Sequence, residues 1–468
     1  MDGATGVLAL LALLVLCRTP RLALTGWLVV ACLVPVWVAV PGIGLEPQVV
    51  ASAVLLLSLL PALLRGHGAV PVRLGAADGL FVLFVLASLV PLVSGRTSVA
   101  DVTTLLVQWT GAFLAGRLIG YRVSLRWLYG AFAVVVTVVA AFAIVEYLTG
   151  WNPFLDIPGD AGLRAVWATV QDRGGVDRAE GAFGTAIALG AVLAMAVPMT
   201  LAAPFRTWVR LGMVVVQLAA TVVTFSRIGL ITAAIGTVLA VLLLRHQMPA
   251  RLRMLMTVAM VIVAACSASL LGRVFGAAGT EASGSADYRL VLLDLVPALR
   301  PFGFADTAYQ VAGGQTVLAN IATPDGVMHS VDNALLLTGL TYGWVPVAIL
   351  LVLLGAAIGA VLSGRVSAAT IAFVAQVPAF ATVALVTQYA TLTWFLAGLA
   401  VFSQTQLARS VDTRPSAVTG GDGALAPTAD PTRPGVTRNG ADACAAQSAI
   451  PNLGSSRTNP AFVATGGN

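Results

Sequence analysis

Residues 207–245 read TWVRLGMVVVQLAATVVTFSRIGLITAAIGTVLAVLLLR. Two apolar runs, 207–225 and 227–244, meet there with almost no loop between them. A helix needs roughly 20 apolar residues to cross the hydrocarbon of a bilayer. In lipid the backbone must satisfy its own hydrogen bonds, which a helix does within the segment. The stretch therefore reads as two membrane helices joined by a tight turn at Ser226.

The same pattern extends in both directions. Apolar runs recur at 4–17, 22–40, 48–64, 76–94, 99–118, 125–148, 181–203, 252–272, 331–360, 367–386 and 390–407. With the opening pair this predicts an all-α integral membrane protein of about 12–13 transmembrane helices. Composition agrees. Of 468 residues, 58% are hydrophobic and 10% charged, against about 25% charged in an ordinary soluble domain. So few charges cannot cover a water-facing surface, which excludes a soluble globular enzyme and a nucleic-acid binder. The first run is not read as a cleaved signal peptide, because nothing basic precedes it.

All 26 basic residues are Arg. That Lys-free, Ala/Val/Leu/Gly-rich bias resembles a high-GC bacterial genome. Arg18, Arg21, Arg65, Arg73, Arg117, Arg122, Arg126, Arg206, Arg210, Arg245, Arg251, Arg253, Arg365, Arg409 and Arg414 fall in every second connection. The positive-inside rule places that set in the cytoplasm, with the N-terminus outside and the C-terminus inside. The expected location is the bacterial plasma (inner) membrane, multi-pass, with the active face extracytoplasmic. Residues 1–408 form the expected transmembrane domain. Residues 409–468, rich in Ala, Gly, Pro, Thr and Ser, read as a disordered cytoplasmic tail. Cys17, Cys32, Cys266 and Cys444 have no ligand or disulfide spacing.

Two expected outer loops are long, 149–180 and 273–330, and both are rich in charge. Residues 288–297 carry apolar positions at helical spacing, which predicts a short amphipathic helix at the interface. Ser226 is placed to N-cap the helix that follows, with Arg227 in its first turn. A helix start suits an anion, and Arg adds a bidentate fork. The simpler reading is an arginine snorkelling to lipid headgroups. Arg178 and Glu180 open the run at 181. They suit anion binding and proton acceptance respectively, or simply a local ion pair. Arg289 is a further candidate phosphate ligand. His329 and Asp332 could take a proton from a hydroxyl; the alternative is a helix N-cap by Asp332 or Ser330, beside Asn333. Glu146 places a carboxylate at membrane depth, which is costly and often functional. No acidic metal cluster or P-loop stands out.

Taken together, these elements resemble the O-antigen ligase / O-antigen polymerase family over roughly residues 140–400. Glu146 to Phe154 resembles its Glu/Gly/Asn-Pro-Phe element, and Arg178 to Gly184 its Arg-x-x-Gly-x-Phe element. Thr224-Phe225-Ser226-Arg227-Ile228-Gly229-Leu230 is similar to its Thr-x-Ser-Arg-x-Gly signature. Arg289 with the Pro301–Gly303 turn resembles its long-loop Arg and Pro-x-Gly. Asn333 with Gly343 resembles its His-Asn…Gly element. The family's His corresponds here to Asp332, with His329 three residues earlier, so the proton acceptor stays open among Asp332, His329 and Glu180.

The resemblance implies a C-type, polytopic glycosyltransferase architecture that needs no cofactor and no metal. The donor would be a polyprenyl-diphosphate-linked glycan. The acceptor would be a hydroxyl of a glycan or lipid, in building an exopolysaccharide or cell-wall glycan. Arg227, Arg289 and Arg178 would bind the diphosphate. Asp332, His329 or Glu180 would be catalytic, and Ser226, Asn333 and Glu146 would support them. The rival is a transporter or flippase of lipid-linked sugars, which should show broken, polar helices and repeat symmetry.

Overall fold

A computed structural model describes residues 19–38, 46–64, 73–93, 98–277, 292–293, 295–303, four short strands between 308 and 327, 331–364 and 366–412. The run at 4–17, Arg289, His329 and the tail beyond 412 lie outside them.

The chain is mostly helical. In order, the helices are α1 (Pro20–Leu33), α2 (Pro47–Leu64), α3 (Ala76–Val93), α4 (Val99–Ile119), α5 (Leu125–Thr149), α6 (Ala161–Trp167), α7 (Ala186–Ala202) and α8 (Thr207–Val223). They continue with α9 (Arg227–Leu243), α10 (Ala250–Ala277), α11 (Ala334–Tyr342), α12 (Trp344–Leu362), α13 (Ala368–Val374), α14 (Val377–Phe380) and α15 (Thr387–Asp412). Among the described residues, α3, α4, α5, α10 and α12 are long and apolar enough to cross a membrane. Shorter apolar helical stretches cover Pro20–Leu33, Pro47–Leu59, Ala186–Ala202, Thr207–Val223, Arg227–Leu243 and Ala368–Phe380.

Helix α7 is the axis of the bundle. It is apolar on every side and almost every residue is buried, as befits a helix with neighbours all round. Helices α5, α8, α9 and α13 pack against it. Helices α10 and α12 stand at the periphery, with only 17% and 22% of their apolar windows buried. That is what lipid-facing helices require. Helices α4 and α15 approach to backbone contact. A Cβ on Gly398 would lie 2.0 Å from the Phe113 carbonyl, and one on Gly116 would lie 2.0 Å from that of Phe395.

Three features depart from the simple run of spans. The apolar run at 331–360 is two helices, broken at Gly343. There the chain segment 300–303 inserts its backbone: Trp344 N–H donates to Arg300 O (2.8 Å), Val345 N–H to Pro301 O (3.2 Å) and Gly303 N–H to Tyr342 O (2.9 Å). The run at 367–386 is likewise broken, into α13 and α14, with Pro378 at the start of α14 and Gln376 buried between them. Arg117, read as a loop charge, lies in the last turn of α4 as half of a buried ion pair. Its Nε and Nη2 donate to Asp78 Oδ1 (2.7 Å) and Oδ2 (3.0 Å). Nη2 also reaches Arg73 O (2.7 Å), and Nη1 reaches the Tyr121 hydroxyl (3.0 Å).

The amphipathic helix expected at 288–297 lies mostly outside the described residues. Its described end is a 3-10 turn, Val296–Ala298. Leu292 and Leu295 are buried there against Val331, Leu336 and Leu340, so this apolar face covers α11. The four short strands pair antiparallel in sequence order, 308–311 with 315–318 and 322–323 with 326–327.

Candidate functional site

The loop 149–180 holds α6 and a two-stranded hairpin, β1 (Asp172–Arg173) with β2 (Val176–Asp177). Gly174 and Gly175 both take positive φ (57° and 75°). That is the backbone a two-residue turn needs to match strand twist. Gln171 closes the stem with three groups. Its N–H donates to Glu180 Oε1 (3.2 Å), its carbonyl accepts from Arg178 N–H (3.1 Å), and its Oε1 accepts from Arg178 Nη1 (3.4 Å).

This stem docks on the end of α8. The last carbonyls of a helix have no partner within it. Here Val223 O accepts from Ala179 N–H (3.3 Å), Thr224 O from Arg178 Nε (3.0 Å) and Phe225 O from Arg173 Nη1 (2.9 Å). Two guanidinium groups at the negative end of a helix dipole are favourably placed. Phe225 takes φ 47°, rare for a residue with a side chain. That turn reverses the chain in three residues. The buried Phe225 ring is held edge-on to Tyr147 (5.7 Å).

Ser226 N-caps α9, as its position in sequence predicts: its Oγ accepts from Gly229 N–H (3.1 Å). Gly229 is a packing residue. A Cβ there would lie 3.0 Å from the Cα of Gly190 on α7. Most of the Thr-Phe-Ser-Arg-Ile-Gly signature thus builds the turn between α8 and α9. Arg227 is the member that is exposed, and its guanidinium carbon stands 4.9 Å from the Phe275 ring centre of α10.

Arg178 is 95% buried, and its Nη2 has no hydrogen-bond partner. Burial and the like charge of Arg173 pull it down to about 10, against a smaller opposing pull from Glu180. A buried guanidinium nitrogen left unpaired is costly, and an anion is the chemistry that would satisfy it. Beside it lies a cavity of about 540 Å³ lined by Glu146, Tyr147, Asn152, Val176, Asp177 and Arg178 among others.

Glu180 is 3% exposed, and burial pushes its carboxyl up to about 8. The Gln171 N–H and the Arg178 charge pull the other way, and nearby Glu146 adds to the rise. Glu146 itself is an anchor. Its carboxylate accepts from Asn152 Nδ2 (2.7 Å), Gly181 N–H (2.9 Å) and Glu180 N–H (3.2 Å), tying the end of α5 to the start of the 3-10 turn Gly181–Phe183. Those bonds occupy it.

Because the fold favours neutral Glu180, ionising it should destabilise the protein. Stability should fall as pH rises from about 4.5, its ordinary value, to about 8. A Glu180→Gln variant should lose that slope, matching wild type near pH 4.5 and melting higher at pH 8. Thermal unfolding in detergent across that window checks it; parallel curves would show Glu180 already ionised in the fold.

Asn333, expected as a supporting residue, is the N-cap of α11: its Oδ1 accepts from Leu336 N–H (2.9 Å). The cap is therefore neither Asp332 nor Ser330. Asp332 is half-buried just before it. The structure brings together Glu146, Arg178, Glu180, Ser226 and Arg227. The sequence reading did not single out Arg173, Gln171 or Phe275 as site residues. The Gly-Gly pair flanked by Arg173 and Val176 is a legible hairpin signal; nothing in sequence marks Phe275. Among the described residues no group of three His, Cys, Asp or Glu is placed to hold a metal ion. No protein-family model, no curated protein and no solved structure matches this chain.

Proposed function

We propose that the chain transfers or polymerises a polyprenyl-diphosphate-linked oligosaccharide onto a hydroxyl acceptor at the extracytoplasmic membrane face, in the manner of an O-antigen ligase or polymerase. The observation that carries this reading is the unpartnered Nη2 of buried Arg178, beside a turn that Arg173 and exposed Arg227 also border. Such a cationic set stabilises charge that develops on a departing diphosphate as the glycosidic bond breaks. Arg289 belongs to the same proposed set. Glu180 accepts the acceptor hydroxyl's proton when ionised, or Asp332 or His329 does so in its place.

The second reading is a transporter of lipid-linked sugars. What favours it is the pair of interrupted helices, at Gly343 and across 375–386, with Gln376 and Gln388 buried inside the bundle. A single assay separates the two. Purified protein receives polyprenyl-diphosphate-linked glycan with EDTA present, against Arg227→Ala. Longer glycan or a new conjugate is expected, reduced at least tenfold in the variant. Loss of only two- to threefold, with normal expression, would sink the role given to Arg227. No product, with glycan instead crossing proteoliposome membranes, would select the transporter.

A further inference from the structure

Two guanidinium groups of like charge stand over one aromatic ring. The Arg227 carbon lies 4.9 Å from the centre of the Phe275 ring, and that of Arg173 lies 6.0 Å from it. The three residues come from three elements: the first position of α9, the first hairpin strand and the last turn of α10. Arg173 is also fixed through Nη1 to Phe225 O (2.9 Å), two residues before Arg227. Arg227, by contrast, sits at the positive end of its own helix dipole, which repels it. The negative face of the ring attracts both cations and offsets their mutual repulsion. Arg178, with its unpartnered Nη2, binds the adjacent carbonyl of Thr224. Three arginines therefore border one three-residue turn, and one ring from a distant helix holds two of them.

Helix α10 packs on the bundle along one side only, and most of its residues are not buried. Its end nevertheless meets the hairpin strand that carries Arg173. A contact made there by the ring arranges charge rather than filling a core, since Phe275 itself is only half-buried.

We propose that Phe275 is a positioning residue that holds Arg173 and Arg227 as a two-armed clamp on a single diphosphate, with Arg173 a phosphate ligand beside Arg178. This rests on the diphosphate reading of the site and adds to it a ligand and the residue that orders the clamp. Arg173 would keep its bond to Phe225 O without the ring, and Arg227 would lose only its tether. Loss of the ring should therefore weaken binding and leave the fold intact.

The test uses inorganic pyrophosphate and the full chain in detergent at low salt. Binding is read from intrinsic tryptophan fluorescence, and unfolding temperature is read on the same samples. Wild type should bind. Phe275→Leu should weaken binding by about fivefold or more, the cost of ordering on the ligand an Arg227 side chain that the ring no longer holds, with the unfolding temperature moved by no more than a few degrees. Phe275→Tyr keeps the ring face and should bind as wild type does. In an Arg173→Ala/Arg227→Ala background, Phe275→Leu should have no further effect. Wild-type affinity in Phe275→Leu overturns the positioning role and leaves the diphosphate reading standing. So does equal weakening in Phe275→Tyr, which would make the ring face irrelevant. Failure of wild type to bind pyrophosphate removes the diphosphate reading, and this inference with it.

Discussion

Arg178→Met should lower glycan transfer by about two to three orders of magnitude, the usual loss when one preorganised donor to developing negative charge is removed. It should do so without unfolding the protein. Two opposing terms decide this. Losing the Nε bond leaves the carbonyl of Thr224 unsatisfied at the end of α8, which costs about 1–3 kcal/mol. Against that, the variant no longer buries a guanidinium whose Nη2 is unpartnered and whose charge both burial and Arg173 disfavour. Methionine fills the space of the aliphatic stem without a charge. The terms are of similar size, so the unfolding temperature should move by only a few degrees. Arg178→Lys should not restore activity, because an ammonium cannot cap Thr224 and present a second nitrogen in the same plane. The two readouts, transfer rate and unfolding temperature, must separate. A variant that loses both together would make Arg178 a cap for α8 and nothing more.

The second large effect concerns the fold. Asp78→Ala removes one half of the buried pair that joins α3 to α4 and leaves Arg117 with no counter-charge in a site where it is 2% exposed. Stranding a buried charge in this way costs about 3–5 kcal/mol. That is a large fraction of the stability of a typical fold. The variant should express poorly, or melt many degrees lower in detergent. A compensating Asp78→Leu/Arg117→Leu double variant should recover much of the loss, since the remaining penalty is packing. If Asp78→Ala melts within a degree or two of wild type, then water or lipid headgroups reach Arg117 and the pair is not sealed.

Much of the fold is legible in residue order alone. The apolar runs identify a helical membrane protein, because a helix is the only unpaired segment whose backbone is satisfied in lipid. The cap at Ser226 and the placing of Arg227 in the first turn of α9 are also local. They depend on a side chain and an N–H three residues apart, so sequence spacing is enough to predict them. The capping role of Asn333 is local too, yet Ser330, Asp332 and Asn333 all precede that helix in sequence, and it is the backbone that singles out Asn333, extended at φ −156° and ψ 109° with its Oδ1 on Leu336 N–H.

What spacing cannot reveal is where backbone from far away intrudes. The run at 331–360 has no internal signal strong enough to require a break. Gly343 ends α11 because residues 300–303 take up the hydrogen bonds of Tyr342, Trp344 and Val345. Glu146 reads in sequence as a supporting carboxylate at membrane depth, and only the structure shows what it holds: Asn152, Glu180 and Gly181 converge on it. Arg117 looks like a loop charge and is sealed against Asp78, 39 positions earlier. The candidate site follows the same division. The residue order determined that a cation would start α9 and that arginines would crowd the segment before α7. Only the tertiary structure decided that Arg173, Arg178 and Arg227 gather at a single turn. A helix end leaves carbonyls that Arg173 and Arg178 from another segment can satisfy, and a ring from α10 lies where one of them, Arg173, meets Arg227.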